Sequence, residues 1–192
     1  MITLARSTPV RLLLALAITA GAGCAGCQGT SDRKPPATAP AAARGPVMRF
    51  AYEGVDGRPI STEAFQNRIS VIAFLTTYDV HSQVVARFLA SVAKRHTPRI
   101  NAAAIMLEAP ENKTLVEAFG ATMGLPYPLA LADAATIAGE GPFAGLHHVP
   151  SIVILDRQGR EAFRHVGFID ENGLEAALKQ VEKSAPPAQE TP

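Results

Sequence analysis

The run ISVIAFL, Ile69 to Leu75, constrains this chain more than any other feature. It is continuously apolar apart from Ser70 and rich in β-branched residues, as suits a strand covered on both faces. It stops abruptly at a polar turn, Thr76 to Ser82 (TTYDVHS). Apolar residues then return at helical spacing: Val84, Val85, Phe88, Leu89 and Val92. A buried strand feeding an amphipathic helix through a tight turn belongs to a layered α/β sheet. The helix N-terminus beyond such a strand is where ligands and chemistry collect. Asp79, His81 and Ser82 are the side chains that could do chemistry there.

The pattern continues on either side. Met48–Tyr52 reads as a short strand closed by the Asp56-Gly57 turn, and Gln83–Arg95 as the helix after the turn. Ile100–Leu107 is a second buried strand. Asn112–Met123 is a helix with Leu115, Phe119 and Met123 at four-residue spacing. Leu129–Leu131 is a short extended segment. Ser151–Asp156 and Glu161–Gly167 form a hairpin about Arg157–Arg160, and Glu171–Lys183 is a closing helix with Leu174, Leu178 and Val181 inward. Gly139–Gly145 reads as a flexible insertion, and no Lys-Ser/Thr follows to make it a phosphate loop. Arg87, Lys94 and Arg95 read as the solvated face of the first helix, and Arg164 and His165 as outward positions on the hairpin.

The termini carry a different signal. Arg6 and Arg11 precede or open the apolar stretch VRLLLALAITAGAG, which ends at Cys24. A basic start, a short apolar core and small residues before a cut describe a secretory signal over residues 1–23. The stretch is shorter than the roughly 20 apolar residues of a membrane span. Ala22-Gly23-Cys24 resembles a bacterial lipobox, which implies lipidation of Cys24, with Cys27 as the alternative. Cleavage there removes two arginines and takes the net charge from +1 to −1. Cys24-Ala25-Gly26-Cys27 has redox-motif spacing, but it sits before a Pro/Ala-rich linker rather than at a folded helix start. Residues 24–46 are expected to be the lipidated terminus and linker, 47–183 the folded domain and 184–192 a tail. No basic block or basic–aromatic interleaving points to nucleic acid, and no cofactor motif is present.

Four stretches carry a family resemblance: FAYEGVDGRPISTEAF, ISVIAFLTTYDVHS, HHVPSIVILDRQGR and REAFRHVGFIDENGLEAAL. In order and spacing they resemble the thioredoxin-like fold of the TlpA/ResA-like, redoxin-related, membrane-tethered thiol-disulfide oxidoreductases. The resemblance covers nearly all of residues 47–183. It implies a central mixed sheet flanked by helices, a cis-proline loop at Pro150 and a periplasm-facing, lipid-anchored place in a bacterial envelope. It also marks where this chain departs from the pattern. The family turn reads aromatic-Cys-x-x-Cys. Here Tyr78 stands in the aromatic place and Asp79-Val80-His81-Ser82 in place of the cysteines and the pair between them.

The only two cysteines are Cys24 and Cys27, so the domain has no thiol. Disulfide exchange requires an attacking thiolate and a leaving sulfur, and a peroxidase route requires a reactive cysteine. The family's reaction is therefore not expected. Three roles remain for the turn. Asp79 or Ser82 caps the helix. Asp79, His81 and His147 or His148 hold copper or zinc, as the related Sco-type copper chaperones use this corner of the fold. Or Tyr78, Val149 and Pro150 form a shelf that pairs with an extended peptide, the binding set then being Tyr78, Asp79, His81, Ser82, Val149 and Pro150. The expected role is protein or peptide binding, or scaffolding. Glu108 and Glu111 are close in sequence but suggest no carboxylate pair of a glycosidase. Ser82 lacks an evident His–Asp relay.

Overall fold

A computed structural model describes residues 45–184. The sites considered for lipidation, Cys24 and Cys27, and the tail from residue 185 lie outside the described residues. A two-strand hairpin comes first, β1 (Ala51–Glu53) with β2 (Pro59–Ser61). The main sheet contains β3 (Ile69–Leu75), β4 (Ile100–Met106), β5 (Leu129–Leu131), β6 (Ser151–Leu155) and β7 (Glu161–Val166). The helices are α1 (Val80–His96), α2 (Lys113–Met123), the single turn α3 (Ala134–Ile137) and α4 (Glu171–Ser184).

Strand order is β5-β4-β3-β6-β7. β3 runs parallel to β4 and antiparallel to β6, so the sheet is mixed. All seven residues of β3 are buried, as its unbroken apolar run requires. β4 opposes Val71–Ala73 with Ala102, Ala103 and Ala104, small residues that let other layers approach closely. Alternate side chains feed two cores. On one face Val71, Ala73, Leu75 and Met106 meet α1, α4 and Val116 of α2. On the other, Ile72, Phe74, Ile105 and Val153 meet the β1–β2 hairpin, Phe143 and Leu146. Among the described residues, the seven strands and the helices α1, α2 and α4 share these two cores, and a segment with its own hydrophobic cores has what folding as a unit requires. Among these residues no helix is long and apolar enough to cross a membrane.

The ends of the elements follow local chemistry. Asp79 caps α1, its Oδ2 accepting the Ser82 N–H at 2.6 Å. Gly124 ends α2 in the left-handed region (φ 60°), and the Leu125 N–H reaches back to Gly120 O. Asp170 Oδ1 accepts the Gly173 N–H at 2.7 Å where α4 begins.

Four readings change. The strand expected at Met48–Tyr52 forms at Ala51–Glu53 and has a partner, β2, hidden by the proline at its first residue. The helix expected from Asn112 starts at Lys113 after a 3-10 turn, Pro110–Asn112. Its core residue is Val116, while Leu115 is 52% exposed. The Gly139–Gly145 run is no loose insertion: Gly145 N–H bonds Gly139 O at 2.8 Å, and Phe143 packs 5.3 Å from Phe50 and 5.1 Å from Phe74, ring centre to ring centre. Arg95 is not merely solvated. It joins α1 to α4 through Glu171 (2.6 Å) and Glu175 (2.7 Å).

Candidate functional site

β3 delivers the turn at one end of the sheet. Thr76 and Thr77 are buried, and Tyr78 then swings out to 75% exposure. The bend is held from below. The Thr77 N–H donates to Glu108 Oε1, and Gln83 Nε2 donates to Thr77 O at 2.9 Å. Glu108 is buried just past the end of β4, and its second oxygen accepts Asn112 Nδ2 at 2.9 Å. Both carboxylate oxygens are thus engaged, which a buried acid requires. Glu108 is therefore no surface neighbour of Glu111 but an anchor of the turn. Its signal in the sequence was a lone acid directly after a buried strand.

Asp79 is tied into the helix start. Partial burial disfavours its charge, but the hydrogen bonds from Ser82 and the neighbouring His81 outweigh this and lower its pKa. A carboxylate held ionised and bonded to the backbone is a poor general base. Ser82 is fully buried, and its hydroxyl makes no hydrogen bond, although it lies close enough to Asp79 to favour that charge. The Thr76 hydroxyl is likewise buried and unpaired. His81 Nδ1 stands 3.9 Å from Asp79 Oδ1, too far for a hydrogen bond, and its ring meets Phe168 edge-on at 5.5 Å. No serine–histidine relay is assembled.

The metal constellation does not form either. Asp79 and His81 are neighbours, and His147 and His148 are neighbours with ring centres 5.8 Å apart. Yet no three His, Cys, Asp or Glu side chains among the described residues converge on one ion position. The position of His147 supplies a reason. Its ring lies against the Cα of Gly139, so close that a Cβ there would fall 1.8 Å from Nδ1.

The Pro150 loop does lie beside the turn. Phe74 pairs with Ser151, so Val149 and Pro150 emerge next to the end of β3, and the Val149–Pro150 peptide is cis. Pro150 is buried, and its carbonyl accepts the Gly167 N–H at 2.9 Å. Val149 is half-buried, and neither its N–H nor its C=O has a hydrogen-bond partner among the described residues. Phe168 follows Gly167 and packs against His81 and Phe88. It is a member of the site that the sequence reading missed, because only the hairpin register brings it there. A further apolar groove of about 440 Å³ lies between the turn and α2.

Strand order, the helix on the turn and the proline loop beside it define a thioredoxin-like α/β fold. Solved structures of similar fold include thiol-disulfide proteins. A DsbF homologue from Corynebacterium diphtheriae has TM-score 0.63 at 19% identity, over 72% of this chain and 87% of that one. A thioredoxin-family thiol:disulfide interchange protein from Chlorobium tepidum has TM-score 0.62 at 20% identity, over 73% and 97%. A secreted Mycobacterium tuberculosis disulfide oxidoreductase homologous to DsbE of E. coli has TM-score 0.58 at 17% identity, over 69% and 96%. No family model and no curated protein matches the chain.

Proposed function

We propose that this chain is an envelope lipoprotein whose thioredoxin-like domain docks extended polypeptide without thiol chemistry. One observation carries the docking role. Of seven exposed large apolar side chains among the described residues, five gather around the turn and the proline loop: Tyr78, Val80, Leu115, Val166 and Phe168. Concentrated exposed apolar surface marks an interaction site. The unpaired N–H and C=O of Val149 in its midst supply what strand addition uses. The loss of redox chemistry rests on composition, since residues 28–192 contain no cysteine.

The envelope location rests on the apolar leader, the lipobox-like Cys24 and the secreted character of one structural neighbour. Radiolabelled palmitate should be incorporated into the wild-type chain and lost with Cys24→Ser; retention, with loss in Cys27→Ser, transfers the anchor to Cys27. The docking role is tested with carboxymethylated α-lactalbumin, an unfolded polypeptide without free thiols. The domain 45–184 should bind it and should not reduce insulin. The double variant Tyr78→Ala, Val149→Arg should lose the binding. Equal binding by both removes this surface, and insulin reduction by the wild type overturns the redox-inactive reading.

A further inference from the structure

We infer that the groove between the turn and α2 is a pocket for an aromatic, N–H-bearing side chain of the docked polypeptide, of which tryptophan is the natural case. The inference rests on the docking reading above and adds what the docked segment contains. The groove of about 440 Å³ shares Tyr78 with the docking surface and includes Gln83, Leu115, Phe119 and Met123. That volume lies within the roughly 300–1,000 Å³ of small-ligand pockets.

Its chemistry names the occupant in three ways. None of its lining residues carries a formal charge, and Lys113 and Glu117 of α2, which are not among them, pair with each other at 4.0 Å. A charged occupant would be desolvated there without a partner, so the pocket selects a neutral one. Two aromatic rings, Tyr78 and Phe119, and the thioether of Met123 favour an aromatic over an aliphatic guest. Gln83 adds direction. Its Nε2 donates to Thr77 O, a pure acceptor, so its other terminal atom is Oε1. That oxygen has no hydrogen-bond partner among the described residues, and it offers an acceptor on the groove wall to an indole N–H. The groove borders the start of α1, but the backbone donor of Ser82 there is already taken by Asp79.

The test uses the ¹⁵N-labelled domain 45–184 and capped nine-residue peptides of Gly, Ser and Thr with one central guest: Trp, Phe, Leu or Glu. The Trp peptide should bind about tenfold tighter than the Leu peptide, and the Glu peptide should bind weakest. Amide shifts should centre on Gln83, Phe119 and Met123. Leu115→Glu, a change at an exposed position, should abolish the Trp preference while amide dispersion stays native. Gln83→Leu should bring Trp and Phe to equal affinity. If all guests bind alike, or if the preference survives in Leu115→Glu, the pocket is overturned and the docking reading stands. If no peptide binds and carboxymethylated α-lactalbumin does not bind either, the docking reading falls and the pocket with it.

Discussion

Asp79 shows how one side chain can meet both needs of a helix start. A helix N-terminus presents unpaired N–H groups and a partial positive charge. Asp79 satisfies both, accepting from Ser82 while ionised. Replacing such a cap with Ala costs about 0.5–2 kcal/mol. Asp79→Ala is therefore expected to lower Tm by several degrees, at roughly 2–4 °C per kcal/mol for a chain of this size. Asp79→Asn or Asp79→Ser, which also cap, should recover most of the loss. Calorimetric melts of the domain check this; an unchanged Tm in Asp79→Ala would show that the cap contributes nothing. The buried Ser82 hydroxyl makes no hydrogen bond, and what favours it there is its nearness to the Asp79 carboxylate.

Among the elements, the loop from Gly139 to Pro150 determines which constellations can exist. Gly139 adopts φ 73°, a conformation that favours glycine, and the His147 ring fills the space a side chain would take. Gly139→Ala is expected to destabilise by more than about 1 kcal/mol, combining left-handed backbone strain with the clash. Adding His147→Ala should relieve the clash and leave the backbone strain, so the double variant should be more stable than Gly139→Ala alone. Urea unfolding of the four members of the cycle measures the coupling. A double variant as unstable as the sum of the singles would mean that the ring does not occupy this space in solution.

At the scale of the molecule, two cores clasp one sheet, and a polar clamp joins α1 to α4 where the first core ends. Glu175 sits in that clamp with Arg95 and His96, beside Glu171. Burial raises its pKa, but the hydrogen bonds and charges of Arg95 and His96 outweigh this and lower it. Asp79 and Glu171 are lowered as well. Acids with folded pKa values below their unfolded ones, about 4, stabilise the fold above that pH. The contribution is lost as pH falls through the lower folded value. Tm should thus vary little with these acids from pH 7 to about pH 5 and fall steeply below about pH 4. Glu175→Gln should lower the neutral-pH Tm and flatten the acid slope. Parallel wild-type and variant curves would remove Glu175 from the acid response.

Most of the fold was legible in the chain because its strongest signals are local. The buried runs of β3, β4 and β6 and the apolar spacing of α1 and α4 identify themselves without neighbours. Asp79 as a helix cap was legible for the same reason, since a cap spans three residues. The missed features depend on distant partners. Nothing near Glu108 says that it holds Thr77, thirty-one positions away. Nothing near Phe143 says that its glycine-rich setting is an ordered core contact. The histidines show the limit best: sequence can count ligands, but convergence is a property of three-dimensional placement, and Gly139 places His147 elsewhere. By itself the sequence determined the element order, the capped turn and a domain without a thiol, because these follow from local periodicity and composition. Tertiary structure alone decided which side chains meet. It dispersed the metal candidates and anchored the turn on Glu108. It also gathered Tyr78 of the turn, Leu115 and Phe119 of α2 and Phe168 beyond β7 around one end of the sheet.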